Sequence, residues 1–374
     1  FILGLVMVSS VCTVHAQTAT RKAAPAASQP KIIVGMMVDQ MRWDYLYRFQ
    51  NRYTEGGFKR LLREGFSCEN TLIDYSPTIT ACGHTCVYTG SVPAVHGIVG
   101  NGWYERSIGK EIGCVDDESV NLVGSEKGGT GQSPHNNLAT TITDQLRIAS
   151  NFQSKTVGVA IKDRASILPA GHAATGAFWY NGQDGNFVTS TYYMKELPEW
   201  AKRFNDKKVV DTYYKNDWNT LYPINTYTLS TADDKEYENT TNGEKNPVFP
   251  HLLKQFTGKN YGAVRTTPYG NTLTFDFAKA AIEGYNLGGG KVTDFLAVSF
   301  SSPDAIGHTY GPNAIEVEDN YLRLDKELAD FFTYLDKRFG KGNYLYFITA
   351  DHGVSESPGF YLENKMPSGA IQDE

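Results

Sequence analysis

Four short runs of this chain are almost wholly apolar, and each stops abruptly at polar residues. Lys31–Val38 (KIIVGMMV) stops at Asp39. Thr156–Ile161 (TVGVAI) stops at Lys162, Asp163 and Arg164. Phe295–Phe300 (FLAVSF) runs into SSPDAIGH, and Leu345–Ala350 (LYFITA) into Asp351, His352 and Gly353. Runs of this kind predict strands buried on both faces, as in parallel sheets. Amphipathic helix patterns lie between them. Phe58–Arg63 is one, and Leu138–Ile148 is another, with Leu138, Ile142 and Leu146 on one face. The longest is Asn313–Phe339, where Val317, Tyr321, Leu324, Leu328, Phe331, Leu335 and Phe339 recur at steps of three and four. The alternation predicts an α/β fold, a mostly parallel central sheet flanked by helices on both faces. Ligands of such sheets bind beyond the carboxyl ends of the strands, where these four runs deliver polar residues. Residues from about 175 to 275 are rich in Tyr, Asn, Thr and Asp and lack helical periodicity. They read as an inserted cap.

A length of 374 residues suits one such domain with an insertion. The formal net charge of −6 and the lack of a long Lys/Arg run argue against a nucleic-acid surface. An anionic substrate must therefore be attracted by a local site. Phe1–Val14 is uncharged and mostly apolar, and Val14-His15-Ala16 offers a small-residue cleavage pattern. Residues 1–16 read as part of a secretory signal peptide, and the run is short for a membrane anchor. Residues 17–30 are rich in Ala, Pro and Ser and read as a linker. The expected location is periplasmic or secreted, without stable membrane insertion. Cys68, Cys82, Cys86 and Cys114 are expected to be structural, as buried thiols or as one or two disulfides.

Asp304 and His308 stand four residues apart, so on a helical turn they share a face, and both are good zinc ligands. Alone, that pair is also what a loop cap beside a surface histidine looks like. Asp351-His352 directly after a strand is a stronger pair. Asp39 ends the first strand. Together the three sets converge on one rim, and mixed Asp/His donors suit zinc better than calcium or magnesium. Two such ions about 4 Å apart stabilise the attacking and leaving oxygens of an in-line displacement. Thr80 precedes a helix-compatible run in SPTITACGHT. A hydroxyl there gains from the positive end of the helix dipole, and an adjacent zinc would make it a nucleophile. Without metal motifs it would read as a plain N-cap.

The segments VDQMRWDY, SPTITACGHT, TGSVPAVHGIVGN, IKDRASILPAGH, SPDAIGHTYGP and TADHG, in this order from residue 31 to about 365, resemble the alkaline phosphatase superfamily. Specifically, they resemble the bacterial periplasmic alkaline phosphatases with a threonine nucleophile. The resemblance implies a catalytic domain over 31–374 that hydrolyses small phosphate monoesters with two zinc ions. Asp39, Thr80, Asp351 and His352 would surround one ion, and Asp304 and His308 would hold the other. Asn101, Lys162 and Arg164 would bind phosphoryl oxygens, where a guanidinium fork and an ammonium both suit phosphate. Lys162 and Arg164 could otherwise be a surface charge pair. His84, His96 and His172 are assigned to turns and helix packing. The family's second zinc takes a third protein ligand, a histidine from a C-terminal segment. No residue up to Glu374 fits it, so the domain is expected to be C-terminally truncated and impaired as written.

The nearest rival is a phosphodiesterase or nucleotide pyrophosphatase of the same superfamily. IKDR favours a monoester, whose additional charged oxygen Lys162 and Arg164 could bind. A non-catalytic exported binding module is the alternative from another class.

Overall fold

The computed structural model describes residues 29–241 and 243–369, so the leader and nearly all of the linker lie outside the described residues. The strands in chain order are β1 (Ile32–Val38), β2 (Gly102–Glu105), β3 (Lys110–Gly113), β4 (Asp116–Val123), β5 (Thr130–Gln132), β6 (Thr156–Ala160), β7 (Gly176–Asn181), β8 (Asn186–Ser190), β9 (Asp294–Phe300) and β10 (Tyr344–Thr349). Eight of them form one sheet in the order β10-β1-β9-β6-β7-β8-β4-β5, and β2 and β3 pair separately. From β10 to β7 the neighbours are parallel. β8, β4 and β5 continue antiparallel.

Three of the four apolar runs are strands covered on both faces, whereas β10 lies at the edge of the sheet with Leu345 exposed and no residue fully buried, against the expectation for LYFITA. β6 and β9 are buried at every position, and β1 at all but Ile33. On one face Val34, Met36, Val159, Leu296 and Val298 share a core with Leu273 and Phe277 of the helix Tyr269–Gly284. Leu324, Leu328 and Phe331 of the helix Ile315–Phe339 complete it. On the other face Met37, Phe295 and Ala297 meet Tyr88 of the helix Thr80–Thr89. There too Ala177 and Trp179 meet Ile167 and Leu168 of the helix Asp163–Ala170. The α/β fold expected from the alternation of runs and helices is thus the fold observed.

Three local readings change. The helix expected over 138–148 runs Ile142–Ala149, because Thr141 and Asp144 form a reciprocal capping box that fixes its start. Leu138 and Ile142 are exposed, so of the expected apolar face Leu146 is the residue that packs against the core. Within 175–275, β7 and β8 are strands of the main sheet, Glu199–Asp206 and Val209–Tyr213 are helices, and Tyr269–Gly284 covers the sheet, which leaves the largely irregular stretch between Tyr213 and Tyr269. The four cysteines are free thiols, with Cys82 and Cys114 buried and Cys68 exposed.

That irregular stretch explains an anomaly of the long helix. Besides its apolar stripe, Ile315–Phe339 buries Glu316, Glu318, Asp319, Asn320 and Asp325. Asp319 accepts from Trp218 Nε1 at 2.8 Å, Leu221 N at 2.6 Å, Tyr227 Oη at 2.5 Å and Arg323 Nε at 2.6 Å. Glu318 accepts from Arg52 at 2.5 Å and Ser230 at 2.6 Å. The insertion is therefore clamped to the polar side of the helix by charge-assisted bonds. Asp319→Ala leaves these donors without their acceptor, and breaking a buried charged network of this kind costs roughly 3–5 kcal/mol. Urea unfolding followed by tryptophan fluorescence should show that loss. A loss below about 1 kcal/mol, the ordinary level for a point substitution, would mean the insertion is held elsewhere.

Candidate active site

β10, β1, β9 and β6 are parallel neighbours, so their carboxyl ends share one rim. Asp39 follows β1 and Asp351-His352 follow β10. Asp304 lies in the first turn of the helix Ser302–Tyr310 after β9, and Lys162 follows β6 as the residue before Asp163–Ala170. Thr80 opens the ten-residue helix Thr80–Thr89 after an extended Ile79. Gly83 lets that helix approach the rim. A Cβ there would lie 2.2 Å from the Asp351 carbonyl oxygen.

The Lys162 ammonium is the hub. Its Nζ donates to Asp39 Oδ2 at 2.7 Å and to Asp304 Oδ2 at 2.6 Å, and lies 3.1 Å from Thr80 Oγ1. His308 Nε2 is 3.1 Å from Asp304 Oδ1. His352 Nε2 is 3.5 Å from Asp39 Oδ1 and 3.6 Å from Asp351 Oδ2. Asn101 Oδ1 accepts from the Ala81 N–H at 3.0 Å, which anchors the amide one residue from Thr80. The structure thus brings together Asp39, Thr80, Lys162, Asp304, His308, Asp351 and His352, with Asn101 at the side. Arg164 stands apart. Its guanidinium lies 3.5 Å from Asp163, and its buried Nε makes no hydrogen bond.

The electrostatics are unbalanced. Three carboxylates, from Asp39, Asp304 and Asp351, are buried around one ammonium. Burial raises the Asp39 carboxyl well above the carboxylate range, and the charge on Asp351 raises it further, against the pull of Lys162. Burial also opposes ionisation of Asp304 and Asp351. There, His308 and Lys162 in the first case, and His84 and His352 in the second, hold the carboxyls below their ordinary range. Asp39 Oδ1 is buried without a hydrogen bond, and Asp351 Oδ2 is buried beside His84 and His352. Donor atoms of Asp39, Asp351 and His352 all lie within 4.8 Å of one another and form a candidate metal-binding site. Buried carboxylate oxygens beside an imidazole, in a pocket with excess negative charge, fit a divalent cation.

His84 does more than pack its helix. It is fully buried, with Nε2 2.8 Å from Ser299 Oγ and Nδ1 2.8 Å from the Thr80 carbonyl. Nδ1 is also 3.1 Å from Asp351 Oδ2. It therefore ties the start of the Thr80 helix to a rim carboxylate. The available signal was its spacing, four residues after Thr80 and so on the same helix face. His172 bonds Asp144 and the Asn137 carbonyl, and His96 contacts Cys86 and the Ile98 N–H, both away from the rim.

The profile of the family described as type I phosphodiesterase / nucleotide pyrophosphatase matches residues 33–369. The chain belongs to this family. Among relatives of this phosphodiesterase-family chain is a protein from Synechococcus elongatus named alkaline phosphatase PhoV. It is 56% identical over 96% of this chain and 66% of its own length. A Myroides odoratus protein named a calcium-transporting ATPase is 58% identical over 93% of the chain and 64% of its own length. The crystal structure of alkaline phosphatase PafA superposes with a TM-score of 0.91 at 55% identity, covering 93% of this chain and 67% of PafA. PafA comes from Elizabethkingia meningoseptica. The chain spans about two thirds of the length of the curated relatives it matches.

Proposed function

We propose that this protein is a zinc-dependent alkaline phosphatase that hydrolyses small phosphate monoesters through a phosphothreonine at Thr80. The observation that carries the reading is the meeting of the Thr80 hydroxyl, the Lys162 ammonium and the Asp39 and Asp304 carboxylates at one buried point. The names of the PhoV and PafA relatives support it. What this chain offers in common with the Myroides relative's name is a phosphoryl-transfer site.

Asp39, Asp351 and His352, with Thr80, would hold one ion, and Asp304 and His308 would contribute to a second. Bound zinc would supply Lewis acidity that neutralises phosphoryl charge and lowers the pKa of the nucleophile. In the first half-reaction Thr80 Oγ1 attacks phosphorus, the ester P–O bond breaks, and the alcohol leaves with a proton. In the second, water attacks the phosphothreonine and inorganic phosphate departs, returning the hydroxyl. Asn101, held beside Thr80, and Lys162 and Arg164 would orient the phosphoryl oxygens, so catalysis is mostly positioning and charge stabilisation. Export to the periplasm or beyond is part of this proposal. It rests on the leader-like residues 1–16, and cell fractionation checks it.

The family's name favours a second reading, a diesterase. Arg164→Ala separates the two. Arg164 makes no contact with the carboxylate cluster, so its loss should leave that cluster in place. Each charged hydrogen bond to the monoester's additional oxygen is worth roughly 1.5–3 kcal/mol, or about ten- to hundredfold in rate. kcat/KM for an aryl phosphate should fall by that factor while an aryl diester changes much less. Equal losses on both substrates would favour the diesterase.

A further inference from the structure

Gln40 lies between the two halves of the candidate metal site. It follows Asp39 where β1 ends, is 3% exposed, and holds a left-handed backbone with φ of 65°. A residue with a Cβ adopts that conformation only at a cost. Here it turns the two polar ends of Gln40 toward different carboxylates. The backbone N–H donates to Asp351 Oδ1 at 3.1 Å. The side-chain Nε2 donates to Asp304 Oδ1 at 3.0 Å, the same oxygen that lies 3.1 Å from His308 Nε2. Among the described residues, Gln40 is the one that hydrogen-bonds both Asp304 and Asp351.

The helix that carries Asp304 and His308 is shaped around this side chain. A Cβ on Gly307 would lie 2.0 Å from Gln40 Oε1. Glycine therefore leaves a slot for the amide on the turn between the two donors. With Oε1 against Gly307, the NH2 group faces Asp304, the only orientation in which a carboxylate oxygen receives a proton.

We infer that Gln40 is a positioning residue that fixes the Asp304–His308 half-site relative to the Asp39–Asp351–His352 half-site. It does so by pinning one carboxylate from each. The inference rests on the two-ion reading above. Outer hydrogen-bond partners orient metal ligands, and their loss typically weakens binding about 10–100-fold. The backbone bond to Asp351 survives any substitution that keeps the turn, whereas the bond to Asp304 depends on the amide.

The test compares wild type, Gln40→Gly and Gln40→Glu in the whole protein. Glycine keeps the N–H and accepts the left-handed backbone, but removes the amide. Glutamate keeps the size and sets a carboxylate against Asp304. Zinc is titrated into metal-free protein against a chromophoric chelator, and melting is followed by circular dichroism. Wild type should take two ions. Gln40→Gly should bind one ion about as wild type does and the other about tenfold or more weakly, with metal-free melting no lower than wild type. Gln40→Glu should weaken the same ion further. Equal affinities for both ions in Gln40→Gly and wild type would overturn the inference. So would equal weakening of both ions together with a lowered metal-free melting temperature, since that is the signature of a fold role. A wild-type protein that takes up fewer than two ions would remove the two-ion reading itself, and this role with it.

Discussion

Thr80→Ala should abolish monoester turnover while leaving metal uptake largely in place. Removing a nucleophile that forms a covalent intermediate costs roughly four to six orders of magnitude in kcat. Thr80 contributes one hydroxyl at the head of its helix, whereas Asp39, Asp351 and His352 stand on other segments and keep their geometry without it. The substitution also leaves the helix start intact, because Ala81 keeps its bond to Asn101 and His84 keeps the Thr80 backbone carbonyl. Steady-state rates with an aryl phosphate check the first half of this expectation. Zinc titration of Thr80→Ala against a chromophoric chelator checks the second, and acid-quenched mass spectrometry of the wild-type protein locates the phosphoryl group. Phosphate trapped on Ser76 or Thr78 instead would move the nucleophile and sink the mechanism.

Stripping metal should be nearly as damaging, and it should cost stability as well as rate. Three buried carboxylates against one ammonium repel one another, and two of their oxygens face imidazoles rather than a second fixed cation. A cation that binds the folded state at a thousand times its Kd contributes about 4 kcal/mol. At roughly 2–4 °C per kcal/mol for larger domains, that amounts to about 10 °C in Tm. Treatment with a strong chelator should therefore lower Tm by about that much and bring monoesterase activity to background. Zinc should restore both more fully than magnesium or calcium, because imidazole ligands suit it better. A chelated protein with unchanged Tm and unchanged rate would mean that Lys162 alone balances the rim.

The parts of this fold that could be read in the sequence are those where burial on both faces forces a one-letter pattern. Ile32–Val38 and Phe295–Phe300 are almost wholly apolar because helices cover them above and below. The strands GAFWYN and NFVTS of β7 and β8 were hidden because the sheet turns antiparallel there, and their Asn and Thr residues look like loop composition. The long helix was legible by its apolar stripe, but the burial of Glu316, Glu318 and Asp319 was not, because it depends on the insertion that lies over them. The start of the helix at Ile142 was missed because an apolar spacing outweighed the Thr141–Asp144 cap. At the rim, strand ends told which residues could meet. They could not tell that Arg164, two positions from Lys162, would stand clear of the carboxylates. Nor could they tell that His84 would reach back to Asp351, because those placements depend on how a helix start is rotated.

The position of β1 also sets the order in which the molecule can be made. The first strand of the chain is an inner strand of the sheet, hydrogen-bonded to β9 on one side and β10 on the other, and both partners emerge some 260 to 310 residues later. A growing polypeptide must therefore hold an uncharged, β-prone segment, Ile32–Val38, unsheltered until Thr349 has been synthesised. Closing loops of that length is entropically slow, and parallel pairing offers no local shortcut. Unpaired segments of this composition are aggregation-prone. Chains cut before Tyr344 should accumulate as aggregates, since Asp39 reaches its place only when the last of these strands has docked.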